Sequence, residues 1–478
     1  MKQLFRLGAV ALSAFLTARC ESRPQFTPQE IDAATLGEGL PAGFILGAAT
    51  AAHQVEGGNT NDWSVWETQS YPDGAPHIHN QDQSGLATDS WNKFPEDLGL
   101  LRRLGANGYR LSVEWSRLEP TEGNFDEAAL ARYRSWLVDL RANGITPMVT
   151  LNHFTLPLWI SNPASSEPQG WEKPETVDAY IRFVRWVGER LGDQVDLWCT
   201  INEPNVLATQ SFLKGIWPPG VKDQKRSTQV LAALMKAHAR AAVALREVDT
   251  VDADGDGHPT RIGIAHHVRI FQPASASLLD AAISGLTDDY FNEALVRMNT
   301  TGRIQLSIPG TLSIDEEVPG LKGSFDYLGI NYYSRDFIRA DLGDPSLSHQ
   351  YTPADRPKSD LGWDLYPEGL YLMLMRFKSA GLPIYITENG MADNDGQDRP
   401  AFLKAHLYAM QRAVADGADV RGYFHWSLMD NFEWAEGFEP RFGLFSVDFT
   451  SSERTRTATP AVTTFQDVAR NLGLTPQP

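Results

Sequence analysis

Residues 177–203 read VDAYIRFVRWVGERLGDQVDLWCTINE, and the fold is decided by the pattern in this stretch. Val177, Tyr180, Val184, Val187 and Leu191 recur at spacings of three and four, which places them on one face of a helix. Gly192 follows as a stop signal, because glycine takes the left-handed conformation that ends helices at little cost. Residues 196–202 then form a short apolar run without polar alternation, as a strand does when helices cover both its faces. The run closes on Asn202 and Glu203, two residues that are costly to bury.

The same unit recurs on both sides. Leu130, Tyr133, Leu137 and Leu140 mark a second helix face, stopped at Gly144 and followed by a run at 146–153. Candidate strands are 44–51, 109–115, 146–153, 196–202, 261–268, 327–333, 384–388 and 422–427, separated by segments long enough for a helix. Eight buried strands alternating with helices predict an α/β fold with a parallel sheet. No linker rich in proline or serine divides them, so a single domain closed into a (β/α)8 TIM barrel with elaborated βα loops is expected. An open doubly wound sheet is the alternative, but no glycine-rich phosphate loop follows the first strand.

The ends read differently. Lys2 and Arg6 precede an apolar stretch at 7–18 and a polar break at Arg19, Glu21 and Arg23, the layout of a secretory signal over 1–19. Export to the periplasm or the extracellular space is therefore expected. Cys20 is a candidate for lipid anchoring at the membrane, although Arg19 stands where lipoprotein signals want a small residue; plain cleavage near Ala18 is the other reading. A tether is expected over 20–38, the catalytic domain over 39–472 and a frayed tail over 473–478. No stretch is long and apolar enough to span a bilayer. With 42 basic and 60 acidic residues the chain carries −18, which disfavours nucleic acid and anionic surfaces and points to a neutral or cationic small-molecule partner. Cys20 and Cys199 are the only cysteines, so a disulfide framework is excluded.

Polar residues cluster where the strands end: Gln54, Glu56, Arg110, Glu114, His153, Asn202, Glu203, Asn331, Glu388, Asn389 and Glu433. In a parallel barrel these ends share one rim, where active sites are built. Each alone reads as a solvated or salt-bridged group. Together they read as a crowded pocket in which carboxyls shift one another's pKa values.

Thr200-Ile201-Asn202-Glu203-Pro204 and Ile386-Thr387-Glu388-Asn389-Gly390 resemble the two signatures of family 1 glycoside hydrolases, the retaining β-glucosidases and β-galactosidases. FILGAATAAHQVEG at 44–57, GINYY at 329–333 and WSLMDNFEW at 426–434 extend the resemblance over nearly the whole chain. It implies double displacement between two carboxyls about 5 to 5.5 Å apart, with no metal or cofactor. Glu388 takes the place of the nucleophile and Glu203 that of the acid/base. Arg110 and Tyr333 would hydrogen-bond the Glu388 carboxylate and lower its pKa, while burial and the charge of Glu388 would raise that of Glu203. Asn202 matches the contact to the sugar 2-hydroxyl, and Asn331 joins the catalytic support. Gln54, His153, Trp426, Glu433 and Trp434 match the positions that hold the non-reducing sugar.

The resemblance implies a β-glucosidase acting on a neutral β-glycoside or oligosaccharide. Galactose or fucose specificity, a transglycosidase and a catalytically silent sugar-binding protein are the alternatives; the intact carboxyls speak against the last. Relatives that take 6-phosphorylated sugars replace the acidic residue at Glu433, and thioglucosidases carry glutamine at the position of Glu203, so neither activity is expected. Two departures bear on specificity: His153-Phe154-Thr155-Leu156-Pro157 where the family often has His-Trp-Asp-Leu-Pro, and His53 where it often has tyrosine. Contacts to the leaving group are expected from loops such as 334–364.

Asp252, Asp254 and Asp256 resemble the first half of a calcium loop, but its twelfth position is Gly263, so a solvated acidic turn is the simpler reading. His238 falls on the apolar face of 230–245 and reads as a core histidine, while His77 and His79 lie in a polar loop without a metal-like partner pair.

Overall fold

The computed structural model describes residue 26 and residues 31–308, 311–344 and 346–477. Eight parallel strands form its centre: β1 Ile45–Ala49, β2 Gly108–Ser112, β3 Thr146–Asn152, β4 Leu197–Asn202, β5 Arg261–Pro273, β6 Leu328–Ala340, β7 Ile384–Asn389 and β8 Val420–Trp426. Each pairs with its neighbour in chain order, and β8 pairs back onto β1 with Ala49 opposite Trp426, which closes the barrel. The expected (β/α)8 architecture is present. The helix Pro174–Leu191 buries Val177, Tyr180, Val184, Val187 and Leu191, the face read from sequence. Proline at its first position suits a site whose N–H would have no helical partner.

Two packing layers follow. The larger apolar cluster lies between strands and helices, while a smaller one, with Met148, Leu197, Tyr327 and Phe424, fills the barrel interior. Glycine sits where strands cross closely. A Cβ on Gly390 would come within 1.9 Å of the Trp426 carbonyl oxygen, so only glycine lets the loop after β7 pass β8.

Strands β5 and β6 differ from expectation. They run on to Pro273 and Ala340, pairing Ile270 with Arg335 through Pro273 with Ile338 beyond a register shift. Arg269, Gln272, Arg335 and Asp336 interrupt the apolar pattern there, so the sequence hid strands that continue above the rim. A hairpin, Arg303–Ile308 with Leu312–Glu317, stands between them in the chain.

Both ends differ as well, where they are described. The last part of the expected tether is docked: Leu36 is buried, the Asn471 amide donates to the carbonyls of Ala33 and Leu36, and the Phe26 N–H donates to Glu368. The expected frayed tail is held by the Gln477 N–H on the Arg102 carbonyl, 2.9 Å. Residues 1–19 and Cys20 lie outside the described residues. Among the described residues no helix is long and apolar enough to cross a membrane.

Candidate active site

Arg110 is the hub of the rim. It rises inside the barrel from β2 and is 1 % exposed. Its Nη1 donates to Glu388 Oε1 at 2.5 Å, its Nη2 to Asn202 Oδ1 at 2.7 Å and its Nε to Thr150 Oγ1 at 3.1 Å. The Tyr333 hydroxyl donates to the other Glu388 oxygen at 2.6 Å. Asn331, opposite Glu388 in the β6–β7 register, donates to Glu203 Oε1 at 2.8 Å and to Asn202 Oδ1 at 3.2 Å. One frame of buried hydrogen bonds thus joins two carboxyls that lie 185 residues apart in sequence.

Glu203 stands at the end of β4 with a left-handed φ of 44°. Pro204 behind it disfavours the helical region, and the Glu203 N–H donates to the Ala265 carbonyl at 2.7 Å. Phe154 (φ 76°) and Trp434 (φ 50°) share this strained conformation at the same site. Such residues cost about 1–3 kcal/mol each and persist where the surroundings hold them.

The electrostatics of the pair turn on one neighbouring ring. Burial lifts Glu388 to about 7, the charge of Glu203 adding to it and Arg110 and Tyr333 opposing. For Glu203 burial again pushes upward, but a charged His267 ring, with Asn331 and Arg110, would outweigh it and hold the group below the ordinary carboxylate range. With that charge the order would be the reverse of the one expected. The physical reason is His267 on β5, a residue the sequence reading passed over, whose Nδ1 lies 2.8 Å from Glu203 Oε1. Arg269 donates from Nε to His267 Nε2 at 2.9 Å and pairs with Asp336 at 2.8 Å. Since Nε2 accepts from Arg269, the ring is neutral with its proton on Nδ1: His267 meets Glu203 as a hydrogen-bond donor, and the charge that would lower Glu203 is absent.

The expected sugar-holding residues surround the opposite end. His153 packs nearly parallel to Trp426 and Trp434, with centroids 5.9 and 6.0 Å away. Its Nε2 meets the Asn202 amide at 3.1 Å, and its Nδ1 is buried without a protein partner. Burial and the nearby Arg110 charge hold this ring well below the usual histidine range, so it is neutral. Gln54 grips the loop carrying Glu433 through the Phe432 carbonyl at 2.8 Å and Asn431 at 3.0 Å. Its Oε1 is also buried without a partner. Burial, with the charges of Glu388 and Glu203, lifts Glu433 to about 8. Buried polar atoms without partners are rare in folded proteins, and here they lie beside a cavity of about 670 Å³ that exposes both catalytic candidates.

The departures from the motif are accommodated by packing. Phe154 contacts Trp434 and Trp217 at 5.1 and 4.8 Å, and His53 stacks on Trp434 while bonding Glu67 at 2.8 Å. Away from the rim, Asp252, Asp254 and Asp256 do converge, but their loop closes on its own N–H groups and Arg261 pairs with Asp256. A protein cation thus stands beside the calcium candidate. His238 bonds Thr200 and Ser324 at 2.7 and 2.9 Å, as a core histidine does.

Comparison with known proteins bears on this geometry. The sequence profile of glycosyl hydrolase family 1 matches residues 37–474. The chain belongs to glycosyl hydrolase family 1. As a family 1 member it is a glycosidase. A β-galactosidase of Pyrococcus woesei is 30% identical over 91% of this chain and 98% of its own. Among solved structures, a β-glycosidase from Pyrococcus horikoshii superposes with a TM-score of 0.80 at 34% identity, covering 91% of this chain and 95% of that one. A β-glucosidase from Thermotoga maritima in complex with glucoimidazole gives 0.79 at 31% identity, with 91% and 99% covered.

Proposed function

We propose that the chain is a retaining β-glucosidase that releases a terminal, unphosphorylated β-D-glucosyl residue. The observation that carries this reading is the asymmetric clamp on two carboxyls in one frame. Glu388 receives a guanidinium and a phenol, both of which favour its ionised form. Glu203 receives a neutral ring N–H and an amide. In the pair one proton is shared, and these donors favour the charge on Glu388 and the proton on Glu203. With Glu203 neutral, its charge no longer raises Glu388.

The chemistry then runs in two steps. Glu388 attacks the anomeric carbon while Glu203 protonates the departing oxygen. Once Glu388 is esterified its charge is gone, the Glu203 pKa falls, and Glu203 takes a proton from the incoming water. Asn202, held by Arg110 and Asn331, keeps amide N–H capacity for the 2-hydroxyl. The partnerless atoms of Gln54 and His153 suit ring hydroxyls, and Glu433, a carboxyl lining the cavity, suits hydroxyls better than a phosphate. The charge pattern of residues 1–19 supports export.

A β-galactosidase is the second reading, because relatives carry both names at similar identity. A panel of nitrophenyl β-glycosides, with 6-phosphoglucoside included, ranks the sugars. Glu388→Gly is expected to lose at least about 10⁵-fold in kcat and to regain turnover with azide, yielding the α-glycosyl azide. A folded variant without rescue would overturn the role of Glu388.

A further inference from the structure

The catalytic cavity does not end at the leaving-group oxygen. From Glu203 and Glu388 it continues along the extension of β5 to the helix Leu278–Asp288 and the hairpin Arg303–Ile308 with Leu312–Glu317. Its far wall is aliphatic and aromatic: Phe271, Ile283, Leu286, Leu306, Ile308 and Ile314. Two ion pairs flank that wall, Arg297 with Asp289 at 2.8 Å and Arg303 with Asp315 at 2.9 Å. The branched aliphatic side chains of this far wall present no flat platform for a second sugar ring; the indoles of Trp217 and Trp363 stand nearer the carboxyls, beside Trp434 and Tyr333.

Apolar surface also continues out of the channel. On the same helix Leu278 is 75 % and Leu279 47 % exposed, while Leu286, a channel residue, is 41 % exposed. Leu342, 69 % exposed, follows the end of β6, where the Ala340 N–H bonds Asp280 of this helix at 2.9 Å. Exposed leucines gathered at the mouth of an apolar channel mark a ligand path, whereas scattered ones need no explanation.

We infer that the leaving group of the natural substrate is a long apolar chain, so that the enzyme acts on amphiphilic glycosides of the alkyl or lipid type in preference to oligosaccharides. This rests on the glycosidase reading above. The sugar occupies the polar end at Trp426 and Glu433, and the chain lies along β5 toward Leu286 and leaves past Leu278.

The test is a series of n-alkyl β-glucosides from methyl to decyl, each below its micelle concentration, beside cello-oligosaccharides of two to four units. The expected result is a KM that falls about two- to fourfold per methylene until the chain outgrows the channel, with little change along the oligosaccharides. Leu286→Asp and Ile314→Asn are expected to cut the octyl-to-methyl ratio of kcat/KM by about tenfold. A flat alkyl series, a steeper oligosaccharide series, or an unchanged ratio in both variants would overturn the inference. If the wild type turned over no glycoside at all, the glycosidase reading would fall instead. Calorimetric titration would then still decide this inference, since octyl glucoside binding no tighter than methyl glucoside would contradict it.

Discussion

Glu388 and Glu203 are nearly equally buried, at 4 % and 6 % exposure, yet the two regions that hold them are built differently. Around Glu388, β2 and β6 supply a guanidinium and a phenol, one for each carboxylate oxygen. Around Glu203, β5 and β6 aim an imidazole and an amide at a single oxygen. Burial pushes both groups upward, so burial cannot separate their roles. The separation comes from the charge and number of donors on each oxygen.

The largest break in this comparison is expected from Glu203→Gln. Turnover of alkyl or methyl glucosides should fall by about 10²–10⁴-fold, while a dinitrophenyl glucoside, whose leaving group needs no proton, should keep its glycosylation rate. The same variant locates the shared proton. If Glu203 is protonated while Glu388 titrates, the acid limb of kcat/KM for the dinitrophenyl substrate stays in place; a shift to lower pH would mean that Glu203 carries the charge there.

A smaller effect is expected from Tyr333→Phe, which removes one of the two donors on Glu388. A hydrogen bond to a charged group contributes about 1.5–3 kcal/mol, so kcat should drop by about 10- to 150-fold. With the ionised form less favoured, the Glu388 pKa rises and the acid limb moves to higher pH. An unchanged limb would detach Tyr333 from the nucleophile.

The smallest change, and the sharpest for the Glu203 side, is His267→Phe. It removes the Nδ1 donor that stabilises the ionised form of Glu203, so the Glu203 pKa rises and the basic limb of kcat/KM moves to higher pH. A shift to lower pH would show that His267 takes the proton of Glu203 and does not donate to it.

Much of this was legible in the sequence. The period of the helix faces, the glycine stops and the polar ends of eight apolar runs placed Arg110, Asn202, Glu203, Asn331 and Glu388 on one rim, because strand order in a parallel barrel fixes which ends converge. His267 was missed although it belongs to the fifth strand, opposite Asn331 in register. Its signal was present: it is a polar residue near the rim end of an apolar run, like the others. Trp217 and Thr150 left no comparable signal, since a tryptophan in a loop or a threonine in a strand reads as packing. Gln54 was read as a sugar contact; that its amide also grips the Glu433 loop depends on side-chain direction and not on pattern.

The central claim is that Glu388 forms the covalent bond to the sugar. A 2-deoxy-2-fluoroglucoside with a dinitrophenyl leaving group slows breakdown of the intermediate, so proteolysis and mass spectrometry can find the labelled peptide. The label is expected on Glu388, in the peptide that contains Ile386-Thr387-Glu388-Asn389-Gly390. A label on Glu203, or hydrolysis of ordinary substrates with inverted product configuration and no trapped peptide, would contradict the account.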